Sequence, residues 1–136
     1  MQDFKKLVVW QHAHALTLRL YELSGTFPPS EVYGLTSQLR RAASSVPANI
    51  AEGCGRNGAA DFARFLQIAF GSASELEYHL ILARDLGFLK TESHQEVERE
   101  VTQIKQMLSS LMQRVRSTPP RVRDGGGPEY ELTTED

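Results

Sequence analysis

Apolar side chains recur along four stretches of the chain at alternating steps of three and four residues. The stretches cover residues 9–23, 35–50, 62–83 and 97–115. Because 3.6 residues complete one turn of an α-helix, this spacing places the apolar side chains on one face of each helix. No convincing two-residue alternation typical of a strand is present. The pattern therefore predicts four amphipathic helices and no sheet.

Proline and glycine residues separate the four stretches. Residues 25–30 include two consecutive prolines, which cannot continue a helix, and residues 53–58 include three glycines, which indicate a turn. We therefore predict helices at residues 4–24, 30–53 and 59–86, with a fourth that begins at Thr91 or Ser93.

The predicted helix ends have the residue types that terminate helices. Gly25 and Gly87 are expected after the first and third helices, where glycine accepts a left-handed backbone. Ser30 is the predicted N-cap of the second helix. Ser93 and Glu96 have the spacing of a capping box, in which each side chain bonds the other residue's backbone N–H.

Pro47 lies inside the second apolar row. Proline has no amide hydrogen to donate to the carbonyl of Ala43, and its ring crowds that carbonyl, at a cost of roughly 3 kcal/mol in a helix interior. We therefore expect the second helix to be kinked at this residue. Packing against neighbouring helices must stabilise it, so we place it at the centre of the fold.

Short turns between long helices require consecutive helices to pack antiparallel. The predicted fold is therefore all-α, an antiparallel up-down four-helix bundle formed by residues 1–117. After Ser117 the composition changes to a segment with three prolines and three consecutive glycines, which predicts neither a helix nor a core. We expect residues 118–136 to be a flexible, acidic tail.

The formal net charge of −2 is unevenly distributed along the chain. Residues 1–117 contain 13 Lys/Arg and 12 Asp/Glu, a net charge of +1, whereas residues 118–136 contain 2 and 5, a net charge of −3. A nearly neutral bundle gives no general indication of phosphate binding. The single cysteine, Cys54, and the absence of signal-peptide and membrane-span patterns favour a cytoplasmic location without membrane contact.

The candidate catalytic and metal-binding groups form no recognised constellation. Di-iron bundles use Glu-x-x-His pairs, and the sequence contains none. Glu75 and His79 are four residues apart, which is more simply interpreted as a surface ion pair on one helix face. Cys54 follows the second helix with no histidine near it in the sequence. We therefore expect no metal, no cofactor and no enzymatic activity.

The strongest candidates for a binding surface are four arginines on the second and third helices and the turn between them. They are Arg40, Arg41, Arg56 and Arg64. Arginine forms bidentate bonds with carboxylate and phosphate alike, so two interpretations stay open. In the first, the adjacent pair bonds Glu52, Glu75 or Glu77 across the bundle. In the second, the four arginines form a basic patch that contacts nucleic acid.

Two segments of the chain resemble a known family. They read FPPSEVYGLTSQLRRAASSVPANIAEG, from Phe27, and FLQIAFGSASELEYHL, from Phe65. The sequence over roughly residues 4–116 resembles the four-helix-bundle proteins encoded in intervening sequences of bacterial 23S rRNA genes, which are also labelled S23 ribosomal protein. That family is similar to the accessory variability protein of diversity-generating retroelements. The acidic tail lies outside the resemblance.

The resemblance implies a homopentameric ring with no catalytic residue. It also implies an adaptor that binds RNA or DNA and a reverse transcriptase through a basic surface, although the bundle here is nearly neutral. The expected function is therefore a non-enzymatic, cytoplasmic homo-oligomer, expected to be a pentamer, that acts as a scaffold or adaptor and contacts nucleic acid. The alternative is a nucleic-acid-binding module that uses a basic patch on the second and third helices.

Overall fold

The computed structural model describes residues 3–117. These residues form four helices and two 3₁₀ turns, and no strand occurs among them. The helices are α1 (Val8–Ser24), α2 (Leu35–Cys54), α3 (Ala59–Asp85) and α4 (Thr91–Ser117). The all-α prediction is therefore confirmed. The predicted flexible tail at residues 118–136 lies outside the described residues.

The four helices form an antiparallel up-down bundle. Each helix contacts the next along the chain, and α4 closes the bundle by contacting α1. Arg19, near the end of α1, pairs with Glu96 and Glu100 in the first turns of α4, as antiparallel packing requires. Because α1 and α3 make no contact, they occupy diagonally opposite corners of the bundle.

The centre of the core is a layer to which every helix contributes two small or aliphatic side chains. A small apolar cavity of about 10 Å³ lies there, which is at the lower limit for one water molecule. Its walls are Ala13, Leu16, Ala43, Val46, Ala73, Leu76, Val101 and Ile104. This layer, which we call the middle layer, divides the bundle into two halves along its axis.

The first helix begins later than predicted because Leu7 has an extended backbone. Residues Phe4–Lys6 form a separate 3₁₀ turn, in which the Asp3 side chain accepts a hydrogen bond from the amide of Lys5. The side-chain amide of Gln11 donates to the Lys5 carbonyl at 2.9 Å. These local bonds, together with the burial of Leu7, explain why the predicted helix over residues 4–24 is interrupted.

The start of α2 differs from the prediction. Ser30 lies in the 3₁₀ turn Pro29–Glu31 and does not cap the helix, which begins at Leu35. The capping bond comes instead from Glu31, whose carboxylate accepts from the amide of Leu35 at 3.1 Å. A carboxylate at this position also interacts favourably with the positive end of the helix dipole.

Three other predicted helix ends can be compared with the structure. Gly87 has a φ of 82°, and the amides of Gly87 and Phe88 bond the carbonyls of Arg84 and Ala83, which confirms the predicted left-handed end of α3. Gly25 follows α1 as predicted, but its backbone is right-handed. The fourth helix begins at Thr91, so Ser93 lies inside its first turn, and Glu96 pairs with Arg19 instead of forming a capping box.

Helix α2 continues through Pro47, which is buried in the core. The carbonyl of Ala43, which the proline leaves without its usual helical donor, accepts a hydrogen bond from the hydroxyl of Thr17 on α1 at 3.1 Å. The same hydroxyl also donates to the carbonyl of Ala13 at 2.8 Å, so its single hydrogen is shared between the two carbonyls. Tertiary contact with α1 therefore supplies a donor that the helix lacks. The kink at Pro47 stays a prediction.

Candidate functional site

Arg40 connects α2 to the end of α1. Its Nε donates to the hydroxyl of Ser24 at 2.8 Å, and a terminal nitrogen donates to the carbonyl of Tyr21 at 3.0 Å. Its guanidinium also lies 4.6 Å from the centre of the Tyr21 ring. The Tyr21 carbonyl also accepts from the amide of Gly25 at 3.2 Å, so Arg40 adds a further donor to it. Arg40 therefore bonds the end of α1, and its donors face protein atoms.

Arg41 lies on the next face of α2, against α3. It donates to Glu75 at 3.0 Å and to Gln38 at 2.8 Å. The same Glu75 oxygen is 3.1 Å from Nε2 of His79. The hydrogen bond to His79, followed by the charge of Arg41, lowers the pKa of the Glu75 carboxyl. The structure thus shows the predicted pairing of Arg41 with Glu75 and the predicted pair Glu75–His79.

Arg56 and Arg64 lie together where α2 passes into α3. Arg56 is 3.1 Å from Glu52 and 3.8 Å from Asp61, and Arg64 is 3.1 Å from Asp61. Both guanidinium groups lie over the ring of Phe65, at 4.8 and 4.4 Å from its centre. Two arginines thus share one aromatic ring and one carboxylate. Part of their positive charge is compensated by neighbouring acids.

The four predicted arginines therefore do not lie in a single patch. Only Arg56 and Arg64 have guanidinium groups that lie side by side, over the ring of Phe65. Arg40 and Arg41 face different neighbouring helices, and Arg41 is 15 residues from Arg56, or ~22 Å along a helix axis. Each of the four has at least one acceptor within the bundle.

A different basic region emerges when charge is counted on either side of the middle layer. Residues 3–12, 47–72 and 105–117, which we call the basic half, contain seven Lys/Arg and three Asp/Glu, a net charge of +4. Residues 17–42 and 77–100, which we call the acidic half, contain six Lys/Arg and eight Asp/Glu, a net charge of −2. The nearly neutral bundle is therefore electrically polarised along its axis.

Four cations of the basic half have no carboxylate partner among residues 3–117. They are Lys5, Lys6, Arg114 and Arg116, on the first 3₁₀ turn and the last turn of α4. The Nε of Arg114 is buried without a hydrogen-bond acceptor. These four residues, which we call the basic end, are better placed to bind an external anion than the paired arginines. The sequence alone could have indicated the basic end, if charged residues had been counted separately for each half of the predicted antiparallel bundle.

The outer surface of α3 has a second apolar row, directed away from the core. Its members are Ile68, Gly71, Tyr78 and Leu86, the last of which follows the end of α3, and we call them the outer α3 row. Glu75 interrupts this row, and Leu82, at the same register, is partly buried against the core. Ile68, Tyr78 and Leu86 are 40%, 57% and 52% exposed, respectively. At Gly71 an added Cβ would meet no atom within 4 Å.

A smaller apolar surface lies on α1, diagonally opposite α3. Leu18 is 60% exposed, and Tyr21, three residues later on the same face, is about half exposed under the guanidinium of Arg40. Because α1 and α3 occupy opposite corners of the bundle, this surface and the outer α3 row lie on different sides of the molecule. These are two separate apolar surfaces of the protomer, and a further pair of exposed side chains, Val32 and Tyr33, lies before α2.

The titratable groups of the described residues show no arrangement for covalent chemistry. Cys54 is buried, and burial, with the charge of Asp3 as a second cause, raises the pKa of its thiol to about 11. A thiol of this kind is protonated at neutral pH and therefore a poor nucleophile. Within residues 3–117, no cluster of three or more His, Cys, Asp or Glu side chains could hold a metal ion.

Among the helices of residues 3–117, none combines the length and the apolar character needed to cross a membrane. The fold and its surfaces define a small four-helix bundle with an apolar outer row on α3 and a basic end. The chain belongs to the family of 23S rRNA-intervening sequence proteins, whose family model matches residues 5–110. The match covers all four helices except the last turns of α4.

A solved structure supports the same family. The chain is similar to a protein of unknown function from the S23 ribosomal protein family of Bacteroides thetaiotaomicron, whose crystal structure was determined at 1.70 Å resolution. The two are 26% identical, with a TM-score of 0.73, and the match covers 77% of this chain and 98% of that one. No curated protein matches the chain significantly. The predicted family resemblance is confirmed.

Proposed function

We propose that this protein is a non-enzymatic, cytoplasmic homo-oligomer, a pentameric ring, that acts as a scaffold or adaptor and contacts RNA or DNA at its basic end. The outer α3 row is the observation on which self-assembly depends. Exposed apolar side chains that recur along one helix on either side of Glu75 are typical of a protein–protein interface.

Gly71 supports this interpretation of the outer α3 row. A glycine in the interior of a helix is about 1 kcal/mol less favourable than alanine. Nothing in the protomer requires it, because an added Cβ would meet open space. A close approach by another molecule would explain why the position has no side chain. Gly71 therefore supports the interpretation that this part of α3 contacts another molecule and does not simply face solvent.

The partner is a second copy of this chain because one protomer presents two different apolar surfaces. If the outer α3 row of one protomer packs on the Leu18–Tyr21 surface of the next, every protomer uses both. Such heterologous contacts form a closed ring when the rotation between neighbours closes. A pentamer is the ring that the family resemblance implies.

Nucleic-acid contact is assigned to the basic end and not to the four predicted arginines. Lys5, Lys6 and Arg116 are exposed and have no carboxylate partner among residues 3–117. Cations in this state can neutralise phosphates and release counterions, which is the main source of affinity in sequence-independent binding. Arg56 and Arg64 already bond Asp61, which makes a patch on the second and third helices the weaker alternative.

Assembly is tested by multi-angle light scattering on variants of the outer α3 row. Ile68→Glu with Tyr78→Glu places two charges in the interface, so we expect the oligomer to dissociate while helicity is retained. The matched control is Gln95→Glu with Gln106→Glu, which adds the same charge on exposed positions of α4. An oligomer that survives the first pair, or that is equally disrupted by the second, would contradict the assigned interface.

Nucleic-acid contact is tested separately by fluorescence anisotropy with labelled RNA and duplex DNA of about 20 nucleotides at low salt. We expect Lys6→Gln with Arg116→Gln to weaken binding and to reduce its salt dependence. The matched control, Lys90→Gln with Arg99→Gln, removes two charges from the acidic half and should have little effect. Equal losses for the two pairs would show that binding depends on net charge and not on the basic end.

A further inference from the structure

We propose that residues 118–136 bind the basic end and compete there with nucleic-acid phosphate. This inference rests on the proposed nucleic-acid contact and adds its regulation. Two features of the molecule support it: the complementary charges of the two segments, and the point at which the chain leaves the bundle.

The charges of the two segments are opposite and of similar size. Residues 118–136 contain five Asp/Glu and two Arg, a net charge of −3. The basic end contributes four cations without a carboxylate partner among residues 3–117. The acidic half, in contrast, would repel the segment.

The chain leaves α4 at Ser117, which belongs to the basic half. Any 19-residue chain that behaves as a flexible coil has a root-mean-square length of roughly 24 Å. This length is sufficient to cross the end of a bundle whose neighbouring helix axes are about 8–10 Å apart. The acidic residues can therefore reach Lys5 and Lys6 as well as Arg116 without leaving the same end of the molecule.

Covalent attachment makes even weak binding effective. A short flexible connection gives an effective concentration of about 1 mM. If the acidic segment binds with an intrinsic Kd of about 0.1 mM, it weakens competing nucleic-acid binding by roughly 10-fold. Non-specific nucleic-acid binding, with a typical Kd of 10⁻⁴–10⁻⁶ M, would then be suppressed more readily than tight binding to a preferred site. The segment thus favours tight nucleic-acid sites over non-specific ones.

Docking can be measured without nucleic acid. A nitroxide spin label is attached to Thr134→Cys in the full chain, since the buried Cys54 thiol is protected from labelling. We expect the label to broaden the NMR amide signals of Lys5, Lys6 and Arg116 strongly, and those of the acidic half weakly. The broadening should fall in roughly 0.5 M salt, where the Debye length is about 4 Å.

The control for mere proximity is a full-length variant with an uncharged tail and the same label. Its substitutions are Arg121→Gln, Arg123→Gln, Asp124→Asn, Glu129→Gln, Glu131→Gln, Glu135→Gln and Asp136→Asn. Equal broadening in the natural and uncharged tails would overturn the docking. Stronger broadening in the natural tail supports it.

Competition is tested with the uncharged tail and a labelled RNA of about 20 nucleotides. We expect binding to tighten by roughly 3- to 10-fold, and we expect no change when Lys5, Lys6 and Arg116 have already been replaced by Gln. Tightening that persists in that background would indicate general charge repulsion and overturn the competition. If both tails bind RNA equally, the competition is wrong and the nucleic-acid contact stands. If neither binds, the proposed contact is wrong, and the competition falls with it.

Discussion

The hydrogen bond from Thr17 to Ala43 predicts an energetic coupling between α1 and the proline of α2. Thr17→Val preserves the shape of a buried side chain but removes its hydroxyl, so the Ala43 carbonyl loses the donor 3.1 Å away. A buried acceptor without a partner costs about 1–3 kcal/mol. With a urea m-value of about 2 kcal/mol/M, this loss would lower the unfolding midpoint by roughly 0.5–1.5 M.

Pro47→Ala should remove most of that cost. Alanine restores an amide hydrogen at the position that normally donates to the Ala43 carbonyl in a helix. In the Pro47→Ala background, Thr17→Val then leaves the carbonyl bonded within α2. We therefore expect the double-mutant cycle to show an interaction free energy of about 1–2 kcal/mol. The packing lost with the buried proline ring cancels in the cycle, because the Pro47→Ala variant and the double variant both carry that loss.

The assay is urea unfolding followed by circular dichroism, at one protein concentration because assembly makes apparent stability concentration-dependent. The control is Thr36→Val, which alters another buried threonine with no bond to the Ala43 carbonyl. It should show no coupling to Pro47→Ala. If the Thr17 and Pro47 effects add to within about 0.5 kcal/mol, the carbonyl does not depend on the threonine and the explanation of the tolerated proline is wrong.

Three further predictions concern single side chains. Arg40→Met should lower the free energy of unfolding by about 1–3 kcal/mol, measured in urea, with unchanged RNA affinity, because its donors bond the end of α1; RNA binding lost at unchanged stability would contradict that role. Cys54, with its pKa raised to about 11 by burial, should react with a thiol reagent at pH 8 only after unfolding, and rapid native labelling would show that it is accessible. The fold lowers the pKa of Glu75. Its contribution to stability is therefore fully present above the pKa of the unfolded chain and is lost as pH falls through the pKa of the folded state. Glu75→Gln should make acid unfolding less steep, and an unchanged pH profile would contradict this.

The helix number, order and approximate bounds could be predicted because they depend on local periodicity. Details at the helix ends could not, since they are decided by individual bonds. Leu7 leaves the helix because its side chain is buried while Asp3 and Gln11 bond the preceding turn. Glu31 replaces Ser30 as the capping group because the 3₁₀ turn places its carboxylate at the amide of Leu35.

The candidate binding surface was only partly predictable for a related reason. Sequence identifies arginines but not their partners, and both Asp61 and the ring of Phe65 contact Arg56 and Arg64 together. The charge polarity of the bundle depends on which segments lie at the same end. Lys6 and Arg116 are 110 residues apart in the chain, and only the antiparallel order of the helices brings them to one end.

The central claim is that copies of this chain cover the outer α3 row of their neighbours. Sedimentation equilibrium on the unmodified protein at micromolar concentration tests it most directly. Five copies of a 15.2 kDa chain give 5 × 15.2 = 76 kDa, and we expect that mass. A single species of 15.2 kDa would contradict self-assembly.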